Sequence, residues 1–141
     1  MERRYRLETR TITVPRHLAE ARELAFEVSL FETVLKREPE NVEAMLALGN
    51  AYTRRGQYEA GLKIDLKLVE LLPDDSTAHY NLACSYSLLG NVEQAIEKLH
   101  AAIEFGYDDP EFMRTDPDLE NLRHDRRFEE LLSLMENWET S

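Results

Sequence analysis

Apolar side chains recur along most of this chain at intervals of three and four residues, the spacing that lays them on one face of a helix. Met45, Leu48, Gly49 and Tyr52 make one such face. After a turn at Arg55-Gly56-Gln57, a second amphipathic run covers 58–71, and Pro73 stops it. The plan then repeats as His79, Leu82, Ala83 and Tyr86, a turn at Gly90-Asn91, and Val92, Ala95, Ile96 and Leu99. Each copy is expected to fold as a helical hairpin. Upstream, a run over 15–38 places Leu18, Ala21, Leu24 or Ala25, Val28, Phe31 and Leu35 on one stripe, with Pro15 in the first turn and Pro39 at the end. Downstream, Asp116-Pro117 opens a short helix, and Asp125 caps a last one carrying Phe128, Leu131, Leu132 and Met135. Residues 5–14 alternate Tyr5, Leu7, Thr9, Thr11 and Thr13 with charged and β-branched residues. A short strand or a solvated arm satisfies that pattern, and the arm is the reading adopted.

The two hairpins are copies of each other. Sliding the chain by 34 residues pairs Pro39 with Pro73, Leu48 with Leu82, Gly49 with Ala83, Tyr52 with Tyr86, Gly56 with Gly90, Glu59 with Glu93, Leu62 with Ile96 and Glu70 with Glu104. The small residues have physical tasks. Gly49 and Ala83 are expected where paired helices approach most closely, as are Gly61 and Ala95 on the second helices, and Gly56 and Gly90 supply a left-handed helix end. One hairpin cannot cover its own apolar face, so the copies are expected to stack.

These positions resemble the signature of the tetratricopeptide repeat family, which runs Trp, Leu, Gly, Tyr, Ala, Phe and Pro at fixed offsets. Met45, Leu48, Gly49, Tyr52, Gly61, Asp65 and Pro73 stand there in the first copy, and His79, Leu82, Ala83, Tyr86, Ala95, Leu99 and Tyr107 in the second. Asp65 for Phe, His79 for Trp and Tyr107 for Pro are departures. For Asp65, either Leu66 supplies the apolar contact or Asp65 lies at a wet edge. The resemblance implies a small stand-alone member with an all-α fold, a right-handed superhelical stack of antiparallel hairpins. The divisions are a basic arm (1–14), a half-repeat capping helix (15–41), repeats at 42–75 and 76–109, and C-terminal capping helices (110–141), all in a single domain. The string from Asp116 to Leu132 looks like a closing segment that often follows the last repeat in bacterial members, which implies a prokaryotic source.

Charge and composition narrow the function. The chain has 141 residues and a formal charge of -11, which disfavours nucleic acid and anionic lipid as partners. Six Arg against three Glu in residues 1–22 make that segment basic on an acidic body. Cys84 is the only cysteine, so no internal disulfide or cysteine-based zinc site can form. The longest apolar stretch of the body, 44–48, falls far below the roughly 20 residues of a membrane span. No hydrophobic segment follows the Arg3-Arg4 pair, so a cytoplasmic location without an export leader is expected.

Catalytic chemistry finds little support. His17, His79, His100 and His124 do not pair at helical spacing, and no phosphate-binding glycine loop or Gly-x-Ser-x-Gly elbow occurs. Asp108, Asp109, Asp116 and Asp118 suggest a cation site less well than they suggest helix caps. Cys84 has no evident base or cationic neighbour. The expectation is a non-enzyme with no cofactor and no metal.

What the resemblance implies instead is a concave groove lined by the first helices, comprising Glu43, Leu46, Asn50, Thr53 and Arg54 from one repeat and Thr77, Tyr80, Asn81, Cys84 and Leu88 from the next. Asn50 and Asn81 match asparagines that in this family bond a bound peptide's backbone, a task suited to an amide that donates and accepts at once. The basic clamp of chaperone-binding members is not implied, because Leu46, Glu111 and Thr115 stand where its cations would be. The expected function is that of an adaptor holding a segment of another protein through apolar anchors. The alternative is self-association, with the basic arm on the acidic body of a second copy. Since Glu43 and Arg54 are the only charges in this expected groove, the partner need not be basic.

Overall fold

The computed structural model describes the backbone of residues 2–7 and 10–140 and the side chains of residues 15–138. Two strands, β1 (Glu2–Leu7) and β2 (Arg10–Pro15), precede seven helices: α1 (Arg16–Arg37), α2 (Val42–Arg54), α3 (Tyr58–Leu71), α4 (Ser76–Leu88), α5 (Val92–Glu104), α6 (Pro110–Thr115) and α7 (Arg126–Thr140). A 3-10 turn, Pro117–Leu122, joins the last two.

The stack of helical hairpins is present, and its period runs further than the sequence reading took it. First helices begin at Val42, Ser76 and Pro110, and second helices at Tyr58, Val92 and Arg126, each 34 residues after the one before. The segment read as closing helices therefore keeps the repeat's register. Its first helix is shortened because Pro117 cannot continue the α-helical ladder, and the chain tightens into the 3-10 turn.

The caps show why the elements fall in this register. Asn41, Asp75 and Asp109, again 34 residues apart, accept hydrogen bonds from the backbone N–H of Ala44 (2.9 Å), Ala78 (2.9 Å) and Phe112 (3.0 Å). Gly56 and Gly90 take φ of 76° and 80°, and the next residues, Gln57 and Asn91, donate back to the carbonyls of Tyr52 and Tyr86. Where Tyr107 replaces the repeat's proline, Gly106 at φ 111° ends α5 instead.

The solvated arm gives way to the other reading of residues 5–14. β1 and β2 pair antiparallel from Glu2 opposite Pro15 to Leu7 opposite Arg10. The Thr-Ile-Thr-Val run at 11–14 suits a strand, and pairing satisfies backbone groups that an arm would leave to water.

Packing is uneven along the stack. Val28, Leu48 and Ala51 form a small cluster with Leu35 and Ile64, and those two also touch the next cluster, Met45, Leu68 and Ala78. The largest cluster lies in the C-terminal half, where Ala83, Leu99, Met113, Leu119, Leu122 and Leu132 are almost fully buried.

Candidate functional site

The inner side of the stack encloses a cavity of about 420 Å3 between α2, α4 and the α6 segment. From α2 come Leu46, Gly49, Asn50 and Thr53, and from α4 come Thr77, Tyr80, Asn81, Cys84 and Ser85. The remaining wall is Asp65 of α3, Tyr107, Phe112, Asp116 and Asp118. Of the residues expected in a groove, Leu46, Asn50, Thr53, Thr77, Tyr80, Asn81 and Cys84 thus meet at one cavity. Glu43, Arg54 and Leu88 do not line it.

Arg54 has a different task. Its Nη2 pairs with Glu27 of α1, and its Nε donates to Asn50 Oδ1 at 2.8 Å, so the guanidinium fastens α1 to the last turn of α2. The Asn50 oxygen is thereby occupied. The Asn81 side chain makes no hydrogen bond among the described residues and is half-buried at the cavity wall.

Asp65 departs most from expectation. Neither alternative holds, because Leu66 is 42% exposed and Asp65 only 7%. The Ser85 hydroxyl donates to Asp65 Oδ2 at 2.5 Å, and Gly49 leaves the room, since a Cβ there would stand 3.3 Å from Asp65 Oδ1. Burial raises the Asp65 carboxyl to about 6, against a smaller lowering by the Ser85 bond.

A second buried carboxylate closes the cavity. Asp116 Oδ1 accepts from the Asp118 N–H at 3.0 Å, which is the capping role read from sequence, while its Oδ2 accepts from the Tyr80 hydroxyl at 2.7 Å. Arg123 Nη2 donates to the Asp116 carbonyl at 3.0 Å, and Asn121 Nδ2 donates to the Ser87 carbonyl at 2.7 Å, so the 3-10 turn is tied to α4. Asp118 is raised by burial and by Asp116 beside it.

Both remaining departures also find physical reasons. Tyr107 stacks on Tyr80 with ring centroids 4.5 Å apart and planes 11° from parallel, and burial pushes its hydroxyl up to about 12. His79 stacks on Phe105 at 5.2 Å and places Nε2 2.7 Å from the Pro73 carbonyl, which is a packing role.

Cys84 lies 3.8 Å from Asp116 Oδ2. Burial and then the charges of Asp116, Asp118 and Asp65 push its thiol well above the usual range, which suppresses the thiolate that nucleophilic chemistry requires. Among the described residues, no three His, Cys, Asp or Glu side chains are placed to hold a metal ion, and no helix is long and apolar enough to cross a membrane. The sequence reading missed Gly49, Asp65, Ser85, Tyr107, Phe112, Asp116 and Asp118 as lining residues. The available signals were the departures at positions 65 and 107. The charges lining this cavity are three aspartates, and neither Glu43 nor Arg54, the two charges expected in the groove, is among them.

Two family models described as tetratricopeptide repeat match residues 28–76 and 66–97, in the register of the hairpins. The chain belongs to the tetratricopeptide repeat family. It is similar to a chloroplastic protein of Arabidopsis thaliana, 35% identical over 100 residues, which are 69% of this chain and 30% of that protein. Tetratricopeptide repeat protein 37 of Xenopus laevis is 32% identical over 71 residues, 50% of this chain and 4% of that protein. This tetratricopeptide chain therefore spans less than a third of the length of either relative. Among solved structures, MamA 41-end from Desulfovibrio magneticus RS-1 superimposes with a TM-score of 0.68 at 23% identity, over 87% of this chain and 70% of that one. MamA of MSR-1 gives 0.64 at 16% identity, over 86% and 72%. At these identities the likeness is one of fold.

Proposed function

We propose that the chain is a non-catalytic adaptor that holds an extended segment of a partner protein in the concave cavity. The observation carrying this is a cavity whose wall presents an uncommitted amide, Asn81, between aromatic and apolar surfaces, Tyr80, Phe112 and Leu46. An extended segment has one N–H and one C=O per residue to satisfy, and an amide answers both. Burial suppresses the Cys84 thiolate, and Asp109 and Asp116 are engaged as helix caps, which supports the non-catalytic reading.

A random dodecapeptide library displayed on phage supplies ligands for the test. Peptides selected on the wild-type chain should bind the Asn50→Ala, Asn81→Ala double variant about tenfold more weakly, the worth of a lost hydrogen-bond pair, with the helical circular dichroism unchanged. Most of the loss should come from Asn81, whose amide is free. Equal binding by the double variant removes the assigned groove.

A second reading, self-association, is favoured by the N-terminal face. α1 exposes Leu18, Phe26 and Leu30, with Phe26 68% exposed, next to a two-stranded sheet. Open strand edges and exposed apolar side chains both favour pairing between copies. Light scattering on the full chain and on a chain shortened by residues 1–14 should then show a doubled mass only for the former. A monomer in both rules this assembly out.

A further inference from the structure

The cavity holds negative charge that its own residues do not answer. Asp65, Asp116 and Asp118 line it, and no lysine, arginine or histidine does. These are not solvated surface acids, because Asp65 and Asp116 are both buried. Asp116 is satisfied by Tyr80 and by the Asp118 N–H. Asp65 is not: the Ser85 hydroxyl bonds Oδ2, while Oδ1, beside Gly49, has no hydrogen bond and no cationic neighbour among the described residues. On the same wall, the Tyr107 hydroxyl is buried beside the Tyr80 side chain and makes no well-formed hydrogen bond. A buried carboxylate with one neutral donor is costly until a counter-charge arrives.

We propose that this cavity receives the basic side chain, arginine before lysine, of the partner segment, between Asp65 and Asp118 and against the Tyr80, Tyr107 and Phe112 rings. The proposal rests on the reading of the groove as a segment-binding site. A guanidinium is flat, forks onto carboxylate oxygens and lies favourably against aromatic faces, whereas an ammonium matches the charge but not the plane. An acidic or phosphorylated segment meets like charge here and is repelled.

The test uses peptides from the phage-displayed dodecapeptide library, selected on the full chain and resynthesised with arginine or with citrulline, its neutral isostere. Selected peptides should share a basic residue, and citrulline at that position should weaken binding about tenfold, as should Asp65→Asn or Asp118→Asn toward the arginine peptide. Neither variant should alter binding of the citrulline peptide. Glu97→Gln, at an exposed site on α5, should change nothing. Peptides that bind and are weakened by Asn81→Ala, yet tolerate citrulline, overturn this proposal and leave the adaptor reading standing. Equal losses from Glu97→Gln and Asp118→Asn mean attraction to net charge alone and overturn it too. A library with no enriched peptide removes both readings.

Discussion

Unfolding the Asp65→Asn variant in urea at pH 8 should take about 2 kcal/mol more than unfolding the wild type, and the advantage should shrink to a small fraction of that by pH 4. The sign follows from the raised carboxyl, which titrates near 6 in the folded chain because burial penalises its charge. In the unfolded chain it titrates at the ordinary 3.8. Below the unfolded value both states are protonated and no penalty exists. As pH rises from there toward 6, the unfolded chain ionises while the folded chain still holds its proton, so wild-type stability falls. Above about 6 both are ionised and the penalty is constant. Asn keeps an oxygen to accept the Ser85 hydroxyl and carries no charge, so its stability escapes this loss. Equal denaturation midpoints at pH 8, or an advantage of the same size at pH 4 and pH 8, would show that Asp65 is not paying for burial. A more stable amide at this position would fit the proposal that the carboxylate is kept for binding.

Leu122→Ala should cost about 3 kcal/mol, the middle of the range for removing three carbons from a filled core. Leu122 sits in the 3-10 turn, fully buried, and shares its cluster with Leu99 of α5 and Leu132 of α7. If the last segment is a full member of the stack, truncating Leu122 opens a void shared by α4, α5 and α7 and lowers the midpoint of the whole urea transition. Leu134→Ala on the same α7, 42% exposed, should stay within about 0.5 kcal/mol of wild type. Similar small costs for both substitutions would mean that residues 110–140 melt separately from the hairpins before them.

The hairpins were legible because their signals are local and recur. A cap at Asn41 or Asp75, a left-handed glycine at 56 or 90 and a stripe of apolar residues each act within one turn of their own helix. The cavity was legible only on its α2 and α4 walls, which follow from the repeat. Its third wall depends on contacts between units, such as Tyr80 to Asp116 and Ser85 to Asp65, which a helical period does not encode. Asp116 shows the difficulty in one residue. Its capping role was read correctly from Pro117, yet a carboxylate has two oxygens, and the second serves Tyr80. Asp65 and Tyr107 drew notice as departures from the repeat's pattern, but their destinations required the neighbouring unit to be in place. The N-terminal strands were missed because alternation in a short charged segment fits either pairing or solvation, and only the partner strand decides.

The uneven core has a consequence for how the cavity behaves in time. Resistance to local opening follows the apolar contacts an element buries, and in a stack each unit leans only on its neighbours. The α4 and α6 wall stands on the large C-terminal cluster, whereas the α2 wall rests on the small clusters beneath α1 and α3. The two walls of the cavity are therefore unequal: a firm anvil carries Tyr80, Asn81 and Asp116, and a looser clasp carries Leu46 and Asn50, tied to α1 by the exposed Glu27 to Arg54 pair. Ionic strength, which weakens that pair and leaves the anvil alone, therefore acts on one wall of the cavity and not on the other.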